Sequence, residues 1–98
     1  MAQSEYSREV WRAAWLERLG EPLVCGEVQS EGGLGRGQVV VRVAFSGVCH
    51  SQLMEARGRR GDDPYLPHLL GHEATGVVEA IGEEVSKVTA GDRVILTW

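Results

Sequence analysis

Short β-branched runs closed off by glycine-rich turns constrain this chain more than anything else in its sequence. In Gln38-Val39-Val40-Val41-Arg42-Val43-Ala44-Phe45 five of eight residues are valine or phenylalanine, and such side chains lose rotamer freedom in a helix but pack well on a pleated sheet. The run predicts a strand over 38–45. The same texture predicts strands over Thr75 to Ile81 and Arg93 to Thr97. Gly82-Glu83-Glu84 and Ala90-Gly91-Asp92 punctuate them. Gly32-Gly33-Leu34-Gly35-Arg36-Gly37 precedes a strand instead of opening a helix, so it reads as a turn and not as a phosphate loop. Good helix formers concentrate in Ser51-Gln52-Leu53-Met54-Glu55-Ala56-Arg57, with Ser51 as an expected N-cap. Mostly strands plus one short helix after Cys49 predicts a mainly β barrel or partial barrel.

Ninety-eight residues fit one domain, close to the size at which burial becomes marginal. A net charge of −4 gives no basis for nucleic-acid binding. The short basic run Arg57, Arg59 and Arg60 is interrupted by Gly58 and followed by Asp62 and Asp63, which reads as a solvated loop. No apolar stretch approaches the ~20 residues of a spanning helix. The N-terminus also lacks a basic-then-apolar leader, so the expectation is a cytoplasmic protein with no membrane partner. Of the two cysteines, Cys25 lies in Pro22-Leu23-Val24-Cys25 without a histidine or acid around it and is expected to be a small buried apolar residue.

Cys49 keeps different company. It sits between a strand end and a helix start, where the positive field of the helix favours the thiolate that binds metal. After a gap, Gly71-His72-Glu73 brings an imidazole and a carboxylate to an expected strand start. Cys49, His72 and Glu73 therefore offer the sulfur, nitrogen and oxygen donors that zinc takes at catalytic sites, where three protein ligands leave a fourth position open. A third soft ligand would have to come from sequence other than these 98 residues. The same pattern also suits a buried thiol and an unrelated satisfied histidine, and His50 and Ser51 equally suit helix capping. His68, between Pro67 and Leu69, reads as a loop or packing histidine.

Three segments, in order, narrow these alternatives: Gly47-Val48-Cys49-His50-Ser51; Leu66-Pro67-His68-Leu69-Leu70-Gly71-His72-Glu73-Ala74-Thr75-Gly76-Val77-Val78; and Gly82, Val85 and Val88 with Gly91-Asp92-Arg93-Val94. Together they resemble the N-terminal part of the zinc-dependent, medium-chain alcohol dehydrogenases, from about Arg12 to Trp98. The resemblance implies a GroES-like β domain over residues 11–98, incomplete and preceded by a flexible extension over residues 1–10. A Rossmann domain binding NAD or NADP is implied elsewhere, since no Gly-x-Gly-x-x-Gly segment follows a strand here. It further implies Cys49 and His72 as ligands of the catalytic zinc, with Glu73 beside the metal. Ser51 is implied as the residue that takes the alcohol proton into a relay, and His50 as a residue near the cofactor phosphates. The implied reaction is hydride exchange between a small alcohol or aldehyde and the nicotinamide ring, with zinc lowering the alcohol pKa.

The resemblance also bears on two local conflicts. Tyr6, Val10, Ala14 and Leu19 recur at helical spacing, yet Trp11-Arg12-Ala13-Ala14-Trp15-Leu16 resembles the opening strand of the family, and tertiary pairing overrides helix propensity. A strand over about 12–17 is the expectation. Gln52 stands where the family usually carries an acid that orients the zinc-binding histidine. A neutral amide makes that imidazole a poorer donor, and such losses cost about 10–100-fold in metal affinity or activity. Two alternatives remain at this level: a free-standing GroES-like binding module, and a zinc-free quinone or enone reductase relative, which would generally lack the Cys and His. Unpaired strand edges and apolar patches lead to an expectation of homo-oligomers or other self-association.

Overall fold

The computed structural model describes residues 10–30 and 32–97. Five strands and one helix follow in the order β1 (Val10–Trp15), β2 (Val24–Gln29), β3 (Val39–Ser46), α1 (His50–Ala56), β4 (Ala74–Ile81) and β5 (Arg93–Leu96). This is the mainly β, partial-barrel architecture expected. Three of the expected strands appear with ends shifted by a residue or so, as fraying termini allow. Of the extension expected over residues 1–10, residues 1–9 lie outside the described residues, and Val10 belongs to β1, where pairing with Gln29 makes it strand.

β1 forms where helical spacing competes with strand pairing, and pairing wins. Each residue from Val10 to Trp15 faces a partner on β2, from Val10 opposite Gln29 to Trp15 opposite Val24. In β2 Gly26 and Val28 are half-buried while Cys25, Glu27 and Gln29 are exposed, but with glycine at one of the inward positions the alternation carries no apolar side chain there. The gap is filled from the partner strand: the Trp15 ring lies 3.1 Å from where a Cβ on Gly26 would stand. The expectation of a buried Cys25 fails. Cys25 is a free, exposed thiol, because the β1–β2 ribbon is only two strands wide and leaves that position open to solvent.

β3, β4 and β5 form an antiparallel sheet in that order, with β4 in the middle. Gly76 and Val78 on β4 are buried, Val77 between them is half-buried, and Thr75 and Glu79 on either side are exposed, the alternation of a half-buried strand. The core is small: Leu16, Leu34 and Val78 are its buried apolar side chains among the described residues. Gly82 brings β4 back against the glycine-rich turn, its N–H donating to Gln38 O at 2.8 Å, while Gly37 N–H donates to Glu83 O. That turn thus serves packing, as expected. Among the described residues no helix is long and apolar enough to cross a membrane.

Candidate active site

The β3–β4 ladder is what assembles the site. Ser46 pairs with Ala74, and the next step along is a hydrogen bond from Gly47 N–H to Glu73 O at 3.0 Å. The chain leaves the sheet at Gly47 and returns at Glu73, so Cys49 and His72, distant in sequence, flank the same ladder end. Two further backbone links tie down the excursion. Leu16 and His68 exchange both N–H···O bonds at 2.9 Å, and Gly20 N–H donates to Ala56 O at 2.7 Å.

Cys49, not Ser51, is the N-cap of α1, with extended backbone at φ −101° and ψ 151°. The shift by two residues has a local cause. Gln52 Oε1 accepts the Cys49 N–H at 2.7 Å, the reach-back arm of a capping box in which Gln occupies the third helical position. The amide that replaces an expected acid therefore holds the helix start together.

Around the Cys49 sulfur the donors converge. Ser51 Oγ donates to Sγ at 3.4 Å, and the Ser51 N–H and the His72 ring also hydrogen-bond it. The Ser51 hydroxyl first, then its N–H, then His72 hold the thiol below its ordinary value, against the opposing effect of burial. His72 is mostly buried, and its Nε2 stands 4.0 Å from Glu73 Oε2. The Glu73 side chain packs over Gly47, its Cγ and Cδ each 2.9 Å from where a Cβ would be, so the absent side chain at Gly47 makes room for the carboxylate.

Of the three expected donors, then, Cys49 and His72 touch and Glu73 lies alongside. Among the described residues no group of three or more Cys, His, Asp and Glu side chains comes close enough to hold a metal ion. A thiol held low against an imidazole has the donor chemistry of a soft metal site, with ligands still to be supplied. Ser51 and His72 open onto a cleft of about 290 Å³ whose other wall carries Glu55, Arg60, Asp62 and Tyr65. His50 is exposed at the helix start and does not line this cleft.

Sequence reasoning missed that other wall. Glu55 was accessible to it, since Ser51 and Glu55 lie one turn apart on a helix; Arg60 and Asp62 are brought in by the loop fold. His68 behaves as a loop histidine: Nδ1 is 2.9 Å from Asp63 Oδ2, and the Tyr65 ring lies 5.7 Å away. His68, followed by the Tyr65 N–H, holds the Asp63 carboxyl below its usual range. Arg57, Arg59 and Arg60 are exposed, as a solvated basic loop requires.

A partial β barrel that sets a low thiol at a helix start against a histidine just ahead of β4 has the form of a GroES-like domain with two candidate metal ligands. Residues 35–98 match the family of the alcohol dehydrogenase GroES-like domain, and this chain belongs to that family. An alcohol dehydrogenase of Geobacillus stearothermophilus is 39% identical over 87 residues, covering 89% of this chain and 26% of that protein. A geraniol dehydrogenase of Castellaniella defragrans is 41% identical over 87 residues, covering 89% and 22%. The crystal structure of an alcohol dehydrogenase zinc-binding domain protein from Burkholderia ambifaria matches with a TM-score of 0.77 at 35% identity, over 90% of this chain and 23% of that one. The chain thus spans about a quarter of the length of these relatives.

Proposed function

We propose that this chain is the N-terminal catalytic-domain portion of a zinc-dependent alcohol dehydrogenase, which exchanges hydride between a small alcohol or aldehyde and NAD or NADP. The observation that carries the reading is the meeting of Cys49 Sγ with both His72 and the Ser51 hydroxyl at the mouth of one cleft. Cys49 and His72 would hold the zinc, with Glu73 beside it and at least one ligand from elsewhere in the protein. Zinc, when bound, lowers the pKa of an alcohol towards neutrality.

The residues of this chain then have distinct tasks. Ser51 accepts the alcohol proton at Oγ and passes it on. His72 would stand beside Cys49 as the second ligand, with the Glu73 carboxylate 4.0 Å from its Nε2. His50, exposed on the first turn of α1, would lie near the cofactor phosphates. The 98 residues supply part of the machinery and turn over no alcohol alone. A cytoplasmic location and a homo-oligomeric state belong to the same reading.

Metal analysis after refolding with zinc tests it, with Cys49→Ala and His72→Ala as controls. The two variants should lose the bound metal; unchanged zinc in both would mean the ligands are wrongly assigned. With downstream sequence restored, the protein should oxidise alcohols in the presence of zinc and NAD or NADP, and inactivity against a broad alcohol panel would sink the dehydrogenase reading.

A further inference from the structure

Two sides of α1 line two different hollows. At about 100° per residue, Ser51 and Glu55 fall on the side of the cleft beside His72, and Gln52, Leu53, Ala56 and Arg57 fall on the other. Against that second side runs a groove of about 540 Å³ that shares no lining residue with the cleft. Its size lies within the ~300–1,000 Å³ usual for small-ligand sites. Its walls are apolar: Pro22 and Leu23 from the turn between β1 and β2, Val48 ahead of the helix, Leu53 on it, and Leu70 from the segment before β4. Val48 is 87% exposed and Leu23 44%, so these walls stand open to water.

The polar side chains lining the groove are Glu21, Ser46, Gln52 and Arg57. Gln52 Oε1 is occupied by the Cys49 N–H at 2.7 Å. Glu21 already faces the Arg18 guanidinium at 3.9 Å. Arg57 is exposed and forms no ion pair with any described residue. One uncompensated charge therefore borders the groove, and it is positive.

We propose that the groove behind α1 binds a medium-chain aliphatic carboxylate, its chain against Leu23, Val48, Leu53 and Leu70 and its head group on Arg57. The chain takes apolar wall out of water, and the planar guanidinium matches a carboxylate with two parallel N–H···O bonds. An ammonium head would be repelled by Arg57 and would find Glu21 engaged by Arg18. An alcohol head would bury the same chain without the ionic contact. Binding here needs neither zinc nor alcohol turnover, so it stands apart from the dehydrogenase reading. Gln52 both lines the groove and holds the Cys49 N–H, which makes the Cys49 amide a reporter of occupancy.

The test uses octanoate, butyrate, 1-octanol and octylammonium in amide NMR titrations of the metal-free 98-residue chain at low salt. Octanoate should saturably shift the amides of Cys49, of α1 and of residues 20–23, and leave the 60–65 loop unmoved. It should bind at least about tenfold more tightly than butyrate, since added methylenes meet the wall. Over 1-octanol and octylammonium the advantage should be about threefold to fivefold and shrink as salt is added, the scale of a solvent-exposed ion pair. Arg57→Gln should bring octanoate down to 1-octanol, and Leu53→Asp should remove the dependence on chain length. Arg57 is exposed, so its variant keeps the test independent of folding.

Four results would overturn the proposal. They are no saturable octanoate shift, 1-octanol or octylammonium binding as tightly as octanoate, an unchanged preference in Arg57→Gln, and shifts centred on the 60–65 loop. Groove amides that move with protein concentration alone and are not displaced by octanoate would assign the groove to a second copy of the chain instead.

Discussion

Gln52 Oε1 accepts the backbone N–H of Cys49 at 2.7 Å, so the residue that departs from the expected acid is the one that closes the N-terminus of α1. Gln52→Ala removes this link and should lower stability by about 1 kcal/mol, while Gln52→Glu, which serves equally at the third position of a capping box, should retain most of it. Urea midpoints of the three proteins decide the matter. An Ala variant as stable as the wild type would show that the bond carries no weight.

Ser51 Oγ donates to Cys49 Sγ, so Ser51→Ala should move the Cys49 thiol back up towards its ordinary value. The sign is fixed by the donors: each stabilises the thiolate, and the hydroxyl is the leading one. Rates of alkylation against pH in the metal-free protein measure it. Cys25 is exposed and would react as well, so the comparison belongs in a Cys25→Ser background. Identical titration with and without the hydroxyl would rule the hydrogen bond out as the cause.

Two glycines predict opposite outcomes for the same substitution. A Cβ at Gly82 would run into the backbone oxygen of Gly35 and come within 3.0 Å of Gln38 O, atoms that cannot move without opening the turn. Gly82→Ala should cost about 1–3 kcal/mol. At Gly47 the obstacle is the Glu73 side chain, which is exposed and free to swing. Gly47→Ala should cost within about 0.5 kcal/mol while displacing the carboxylate from His72. Equal losses in thermal unfolding would contradict the distinction.

The Asp63–His68 pair makes stability sensitive to acid. The folded carboxyl titrates below its unfolded value, so its contribution is fully present above the ordinary carboxylate pKa of about 3.9 and is lost as pH falls through the lower folded value. Asp63→Asn should flatten the fall in melting temperature over that acidic window. A variant with the wild-type acid profile would assign the loss to other carboxylates.

Phe45, Thr75 and Ile95 form one cross-strand row, and both apolar members are more than three-quarters exposed. Apolar side chains side by side on a sheet face favour association. Phe45→Lys with Ile95→Lys should therefore reduce the light scattering of concentrated solutions of the chain. Scattering that is low in the wild type, or unmoved by both charges, would remove this face as the cause.

Sequence texture marked three strands, the helix after Cys49 and the glycine-rich turns, because side-chain stiffness, helix propensity and the need for special backbone angles are properties of the residues themselves. The same local chemistry singled out Cys49, Ser51, His72 and Glu73. β2 escaped it, since Gly26 leaves an inward position without a side chain and the space is filled only by Trp15 of another strand. Cys25 misled for a related reason: an apolar neighbourhood in sequence does not say how many strands wide the ribbon will be.

What the tertiary structure alone decided is proximity. The sequence determined that the chain carries metal-type donors and β-forming segments in the order of one enzyme family. Only the β3–β4 register, with Ser46 against Ala74, sets Cys49 against His72 and folds the 60–65 loop back so that Arg60 and Asp62 face Ser51. Propensity acts over a few residues, whereas these contacts close an excursion of more than twenty, and only the hydrogen bonds of the sheet fix where such an excursion begins and ends.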